Sequence, residues 1–235
     1  MICYTQKKSK NICVAKRYNN MDNSKFIYTD SNLYNEHGGA VMMEWERGWM
    51  ERSAEIVCKN GGDILNIGHG LGLVDSYINQ FLMNYNSTST SHTIIENHPD
   101  VHIYMKKHGW YDKANVIESD WRTTLTHLPI FDGIYYDTWS GEVNDFYNGL
   151  LNHLPYILKK NGIFLFWYDA NIELPELNEW CSLNNFSIVY EEFDIDIPNR
   201  QHKNGEHYIN PKLKSVLLPI ITNLNEPKQY KPILI

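Results

Sequence analysis

Cysteine is scarce and scattered. Cys3, Cys13, Cys58 and Cys181 form no CxxC pair, which disfavours a disulfide framework or a zinc site and points to a reducing, cytoplasmic setting. Basic residues are also in deficit: 21 Lys and Arg stand against 28 Asp and Glu, for a formal net charge of -7. That balance argues against nonspecific binding to nucleic acid or an anionic membrane, and it suits a cationic substrate. No apolar run approaches ~18 residues, so no membrane span is expected. Met1 to Lys10 is polar, carries three lysines and has no apolar core, unlike a signal peptide. No internal repeat and no Pro/Gly/Ser-rich linker divides the chain. With 235 residues, 43% of them hydrophobic, it suits one sizeable domain with a well-buried core.

Residues 1 to 37 lack clear periodicity and are rich in Asn, Lys, Ser and Tyr. They read as an N-terminal segment, either partly disordered over the first twenty residues or a lid, ahead of a domain over 38–235. From Val41 to Val57, apolar residues recur at steps of three to five, which predicts an amphipathic helix closed by Asn60-Gly61-Gly62. Short apolar strands are then expected at Asp63–Ile67, Ser91–Glu96, Ala114–Glu118, Phe131–Asp137 and Ile163–Tyr168. Helical stretches follow Gly72, Asn97 and Asp120 and cover Phe146–Leu158, stopped at Lys160-Asn161-Gly162. This alternation is the signature of a doubly wound parallel α/β sheet. A helix over Leu174–Leu183 and two further strands, Ser187–Ile197 and Ser215–Thr222, complete a seven-stranded, mostly parallel sheet with a C-terminal antiparallel hairpin.

Three constellations carry chemistry. The loop Gly68-His69-Gly70-Leu71-Gly72 joins the first sheet strand to a helix beginning at Leu73 and Val74. There the backbone can approach a ligand and the helix start offers free N–H groups; a structural turn is the plain alternative. Glu96 ends the next strand, where an acid can accept hydrogen bonds from ribose hydroxyls, unless it is only a solvated strand end. Together these fit a nicotinamide cofactor or S-adenosyl-L-methionine. The acid-ended strand finishing at Asp137 and the antiparallel end tip the balance to S-adenosyl-L-methionine. In the 41–57 segment, Trp45 and Trp49 suit the core. Glu46 beside them sits where a lone charge is costly, unless a cationic ligand or a neighbouring arginine meets it.

The segments Val41-Met-Met-Glu-Trp-Glu46, Ile64-Leu-Asn-Ile-Gly-His-Gly-Leu-Gly72, Ile94-Ile-Glu96, Phe131-Asp-Gly-Ile-Tyr-Tyr-Asp-Thr138 and Leu158-Lys-Lys-Asn-Gly-Ile-Phe164 resemble, in order, the guanidinoacetate N-methyltransferase family. They are closer still to the catalytic domain of the fungal arginine methyltransferases that modify the internal nitrogen; Glu96-Asn-His-Pro-Asp100 and Met105-Lys-Lys-His-Gly-Trp110 add to that likeness. The resemblance spans residues 38–222 and implies a Rossmann-like class I methyltransferase. By it, His69 to Val74 line the methionine and ribose parts of the cofactor, and Glu96 and Asn97 hold the ribose. Trp121 and Arg122 lie near the adenine, and Met50 touches the cofactor. Glu46 and Asp137 grip a guanidinium, with Met42 packing on the substrate. Asp137, at the meeting of both ligands, is the expected proton acceptor.

The sequence departs from the family at His69, where Phe is usual, at Trp139-Ser-Gly-Glu142, and at Trp167-Tyr168-Asp169. In this last position the family has an Asn-containing turn that holds the substrate's far end. Tyr168 and Asp169 are therefore candidate substrate contacts, and Asp169 suits an amino group. The repeat region preceding the fungal catalytic domain has no counterpart here, so that docking module is expected to be missing. The implied activity is N-methylation of a guanidino group on arginine, an arginine-like metabolite or an arginine peptide, with no metal and an open oligomeric state. The alternatives are another amine such as an ornithine side chain, or an inactive protein that kept the fold.

Overall fold

The computed structural model describes residues 24–85, 90–138, 145–198, 209–210 and 212–230. The first twenty residues, Trp139 to Glu142 and most of the loop joining the last two expected strands lie outside these. A seven-stranded sheet is built from β4 (Asp63–Ile67), β5 (Ser91–Glu96), β6 (Asn115–Glu118), β7 (Phe131–Tyr136), β8 (Leu158–Phe166), β9 (Phe186–Asp194) and β10 (Ser215–Asn223). Its order is β6-β5-β4-β7-β8-β10-β9. The first five run parallel, and β10 is antiparallel to both β8 and β9. This is the doubly wound, mostly parallel sheet with a C-terminal antiparallel pair that the alternation predicts.

The sheet is covered on both faces, which explains its apolar strands. On one side α1 (Arg47–Val57) and α2 (Leu73–Met83) bury Trp49, Met50, Val57, Val74 and Ile78 against Tyr135, Leu165 and Trp167. On the other, α4 (Trp121–Thr124), α5 (Leu151–Ile157) and α6 (Pro175–Leu183) pack Trp121, Leu154 and Leu177 against Leu65, Phe164 and Phe166. The remaining helix, α3 (Pro99–Lys107), sets Val101 and Met105 against Ile94. Cys58 and Cys181 are buried free thiols. No helix among the described residues is long and apolar enough to cross a membrane.

Two local expectations are corrected. The 41–57 segment is not one helix. Ala40–Met43 is a strand, β3, followed by a single 3-10 turn, Glu44–Glu46, before α1 starts at Arg47. Met43 is extended at φ -125, and Glu46 Oε1 accepts from its backbone N–H at 2.7 Å, so the acid caps the turn three residues back. The strand belongs to a small antiparallel sheet with β1 (Phe26–Tyr28) and β2 (Asn32–Asn35), elements that composition left unassigned. The second correction concerns Phe146–Leu158. A π-helical stretch covers Asp145–Leu150, α5 ends at Ile157, and Leu158 already belongs to β8. Lys160-Asn161-Gly162 is then an irregularity inside that strand. Phe131 pairs with Leu158 but Gly133 with Ile163, and Asn161 takes φ 63.

Candidate active site

The parallel strands deliver their chemistry at one edge, as open α/β sheets do. At the end of β4 the ladder runs on: Gly68 N donates to Ile95 O, and Asp137 N to Ile67 O, both at 2.9 Å. This brings the glycine loop and Asp137 side by side. Gly68 sits at φ +97, and a Cβ there would lie 1.9 Å from the Asp137 carbonyl oxygen, so only glycine permits the approach. Gly72, at φ +71, starts α2 as tightly, its absent Cβ space taken by His69 and Trp110. Leu71, Leu73 and Val74 continue the loop into the helix, the last two buried.

Glu96 is buried at the tip of β5. Its carboxylate accepts from three backbone N–H groups: His69 at 2.9 Å, and Asn97 and His98 at 2.8 Å each. A carboxylate offers about four acceptor positions, so roughly one remains for a ligand hydroxyl. Asn97 is exposed beside it. Glu96 therefore bridges the glycine loop to the turn opening α3.

The loop is also held from behind by residues that sequence reasoning passed over. Asp75, fully buried in the first turn of α2, accepts from His69 Nδ1 at 2.7 Å and from Asn66 Nδ2 at 2.8 Å, and His92 Nε2 lies 3.0 Å away. Burial alone would raise its pKa, but the two imidazoles prevail and hold it down to about 2. Asn66 Nδ2 also donates to Gly68 O at 2.6 Å. His69, in the place of the usual Phe, thus points into the core as a hydrogen-bond donor.

Glu46 is buried to 1% exposure. Besides Met43 N–H, it accepts from the Trp167 indole Nε1 at 2.9 Å. Trp167 itself stacks on Trp49, centroids 5.2 Å apart, and its backbone N–H continues β7 by donating to Tyr136 O. The carboxylate is thereby fixed toward the strand ends from across the chain. Asp137 is partly buried, and no described lysine or arginine pairs with it. Burial, and after it the charges of Asp75 and Glu96, push its carboxyl up to about 6. Between these acids lies Tyr135, fully buried, its phenol raised well above the ordinary value by burial first and then by Asp137, Glu46 and Asp75.

The other expected residues are distributed as follows. Met42 Sδ accepts from Leu71 N at 3.3 Å and its methyl lies against Gly70, so it rests on the glycine loop. Met50 is fully buried, with Tyr135 Oη donating to its sulfur at 3.5 Å. Trp121 is buried edge-on to Tyr136, and Arg122 lies over the Trp121 ring while pairing with Asp120 and Asp145. Tyr168 turns into the core on the α5 face and donates to Ile172 O, whereas Asp169, half-buried, follows at the sheet rim, pushed up to about 6 by burial. Trp167, missed in the sequence, is the residue that holds Glu46; the hint was an indole adjoining an acid-rich strand end.

A family model described as guanidinoacetate N-methyltransferase matches residues 11–183. Among curated relatives, protein arginine N-methyltransferase 2 of Saccharomyces cerevisiae is 32% identical over 211 residues, covering 78% of this chain and 50% of that protein. The Kluyveromyces lactis protein of the same name is 37% identical over 217 residues, covering 80% and 51%. The chain thus spans about half the length of these relatives. Among solved structures, the precorrin-6y C5,15-methyltransferase of Geobacter metallireducens superposes with a TM-score of 0.52 at 13% identity, over 77% of this chain and 88% of that one. That likeness speaks for the fold alone.

Proposed function

The chain belongs to the guanidinoacetate N-methyltransferase family, and on that footing we propose that it is an S-adenosyl-L-methionine-dependent enzyme that methylates a guanidino nitrogen. One observation carries the reading: two acids from distant segments, Glu46 and Asp137, stand at the same sheet edge beside a glycine loop that closes tightly on Asp137 and runs into the start of α2. Burying carboxylates is costly. A planar guanidinium, which offers paired N–H groups, relieves that cost by binding two carboxylates at once.

The residues present fit the cofactor. Glu96 keeps about one acceptor position for a ribose hydroxyl, and the glycine loop, whose conformation Gly68 and Gly72 permit, runs past it into the start of α2. By this reading His69 to Val74 and Met50 hold the methionine and ribose parts, Glu96 and Asn97 the ribose, and Trp121 with Arg122 the adenine. The bound cofactor supplies an electrophilic methyl group. Glu46, rigid between Met43 N–H and the Trp167 indole, orients the guanidinium, and much of the rate comes from that orientation. Asp137 completes the grip and takes the proton that the nitrogen sheds as its new N–C bond forms. A carboxyl near 6 is a better acceptor than an ordinary aspartate and is still ionised at neutral pH. Met42 and Asp169 complete the substrate contacts, whereas Tyr168, expected among them, is packed in the core on the α5 face.

Residues 24–37 rest on this site. Tyr28 Oη donates to Gly70 O, and Phe26 stacks on His98 at 3.8 Å. This supports reading residues 24–37, the described part of the segment, as a lid over a catalytic domain of 38–235. The unpaired Cys58 and Cys181 support a cytoplasmic setting. The test is methyl transfer followed by mass spectrometry, with arginine, other guanidino compounds, ornithine and arginine peptides offered together. One added methyl on a guanidino nitrogen is expected. Transfer to ornithine alone, or to none although the cofactor binds, refutes the guanidino assignment.

A further inference from the structure

The segment after β8 is fixed more firmly than a loop needs to be. Trp167 N donates to Tyr136 O at 3.0 Å, and the Trp167 indole is tied to Glu46. Ala170 O accepts from Leu217 N at 2.9 Å, and Asn171 Nδ2 donates to Glu192 Oε1 at 2.9 Å. Asp169 stands between these anchors, in the chain leaving the strand beside that of Asp137, so its backbone position is fixed.

Each arginine of the described residues is already paired with acids: Arg47 with Glu44, Arg52 with Glu55 and Glu191, Arg122 with Asp120 and Asp145. None of these guanidinium groups is left to receive a substrate carboxylate. No described lysine or arginine pairs with Asp169, and the strand beside its own ends at Asp137, an acid assigned with Glu46 to the guanidinium. A substrate acid brought beside Asp169 would meet a carboxylate; an ammonium would meet a partner.

We propose that Asp169 is a specificity-determining residue that selects guanidino substrates carrying a second cation, an ammonium at the end remote from the guanidinium, over guanidino acids. This rests on the guanidino reading above. Selection acts through one charge-assisted hydrogen bond to the ammonium and repulsion of a carboxylate, leaving the reacting nitrogen to Glu46 and Asp137.

The experiment separates the two claims. Guanidines with an ethylene or a butylene spacer, each ending in an ammonium, a methyl or a carboxylate, are titrated calorimetrically into the protein saturated with S-adenosylhomocysteine, so no turnover is needed. In at least one spacer series the ammonium ligand should bind about tenfold or more tighter than its methyl isostere, and the carboxylate ligand weakest. Asp169→Asn, its fold checked by circular dichroism, should shrink the ammonium-to-methyl ratio to within about twofold. Equal binding of ammonium and methyl ligands in both series overturns the inference and leaves the guanidino reading standing. So does a variant that weakens both ligands equally. If no guanidine binds at all, the guanidino reading falls and this inference with it.

Discussion

Replacing Asp137 with asparagine is expected to stabilise the ligand-free protein while abolishing its activity. The carboxyl is raised from 3.8 to about 6, chiefly by burial. Between those values the folded state holds the proton more tightly than the unfolded chain, so stability falls as pH rises through that window, and the full penalty is present above about 6. Two pKa units correspond to about 3 kcal/mol. Partial access to water reduces this to about 1–2 kcal/mol. Asparagine has nearly the same shape and no charge to bury. For a chain of this length that predicts a melting temperature higher by about 2–6 °C at pH 7.5. The assay is differential scanning calorimetry of wild type and Asp137→Asn at pH 7.5 and pH 4, where the gain should shrink because wild type is then protonated too. Methyl transfer at pH 7.5 should drop about a hundredfold or more. A variant that melts at or below wild type at pH 7.5, or a gain undiminished at pH 4, would refute the claim that burying this carboxylate costs stability.

The same carboxyl sets a pH profile. In the proposed role of Asp137, protonation removes the charge that binds a cation and the base that takes its proton, so kcat/KM should rise through about pH 6 and then level; a flat profile in wild type between pH 5 and 7 counts against Asp137. Trp167→Phe removes the indole donor to Glu46 and should cost about 2 kcal/mol in stability, raising KM for the guanidino substrate more than it lowers kcat; an unchanged KM argues against Glu46 as the anchor. Glu96→Gln sets an amide against three backbone N–H groups and should weaken S-adenosylhomocysteine binding about tenfold by calorimetry; equal affinity removes Glu96 from the cofactor site.

What the sequence reveals follows from how local each signal is. Strands β4, β5 and β7 are short apolar runs ending in Gly68, Glu96 and Asp137, and being buried on both faces makes them legible. The glycine loop shows for the same reason, because a close approach demands a residue type. The 40–46 segment misleads because Met42 and Met43 are buried by strand pairing yet keep helical spacing with Trp45 and Trp49. Asn35 hides β2. It is buried although polar, because its Oδ1 accepts from the N–H groups of His37 and Gly39. At the site, Glu46 and Asp137 are visible as acids in unusual company. Trp167, Asp75 and His92 are not, since their roles exist only once β8, α2 and β5 lie against their partners.

The bond between Trp167 and Glu46 joins residues 121 positions apart, and this has a consequence for synthesis. A nascent chain that has released β3 through β7 can already form the glycine loop and present Asp137. Its other acid stays without the indole until β8 has emerged and inserted beside β7, and closing so distant a contact comes late in folding. On the proposed function, competence toward a guanidinium therefore arrives after the half that would hold the cofactor is complete. A ribosome-bound chain truncated before residue 158 should bind S-adenosylhomocysteine while remaining blind to the substrate.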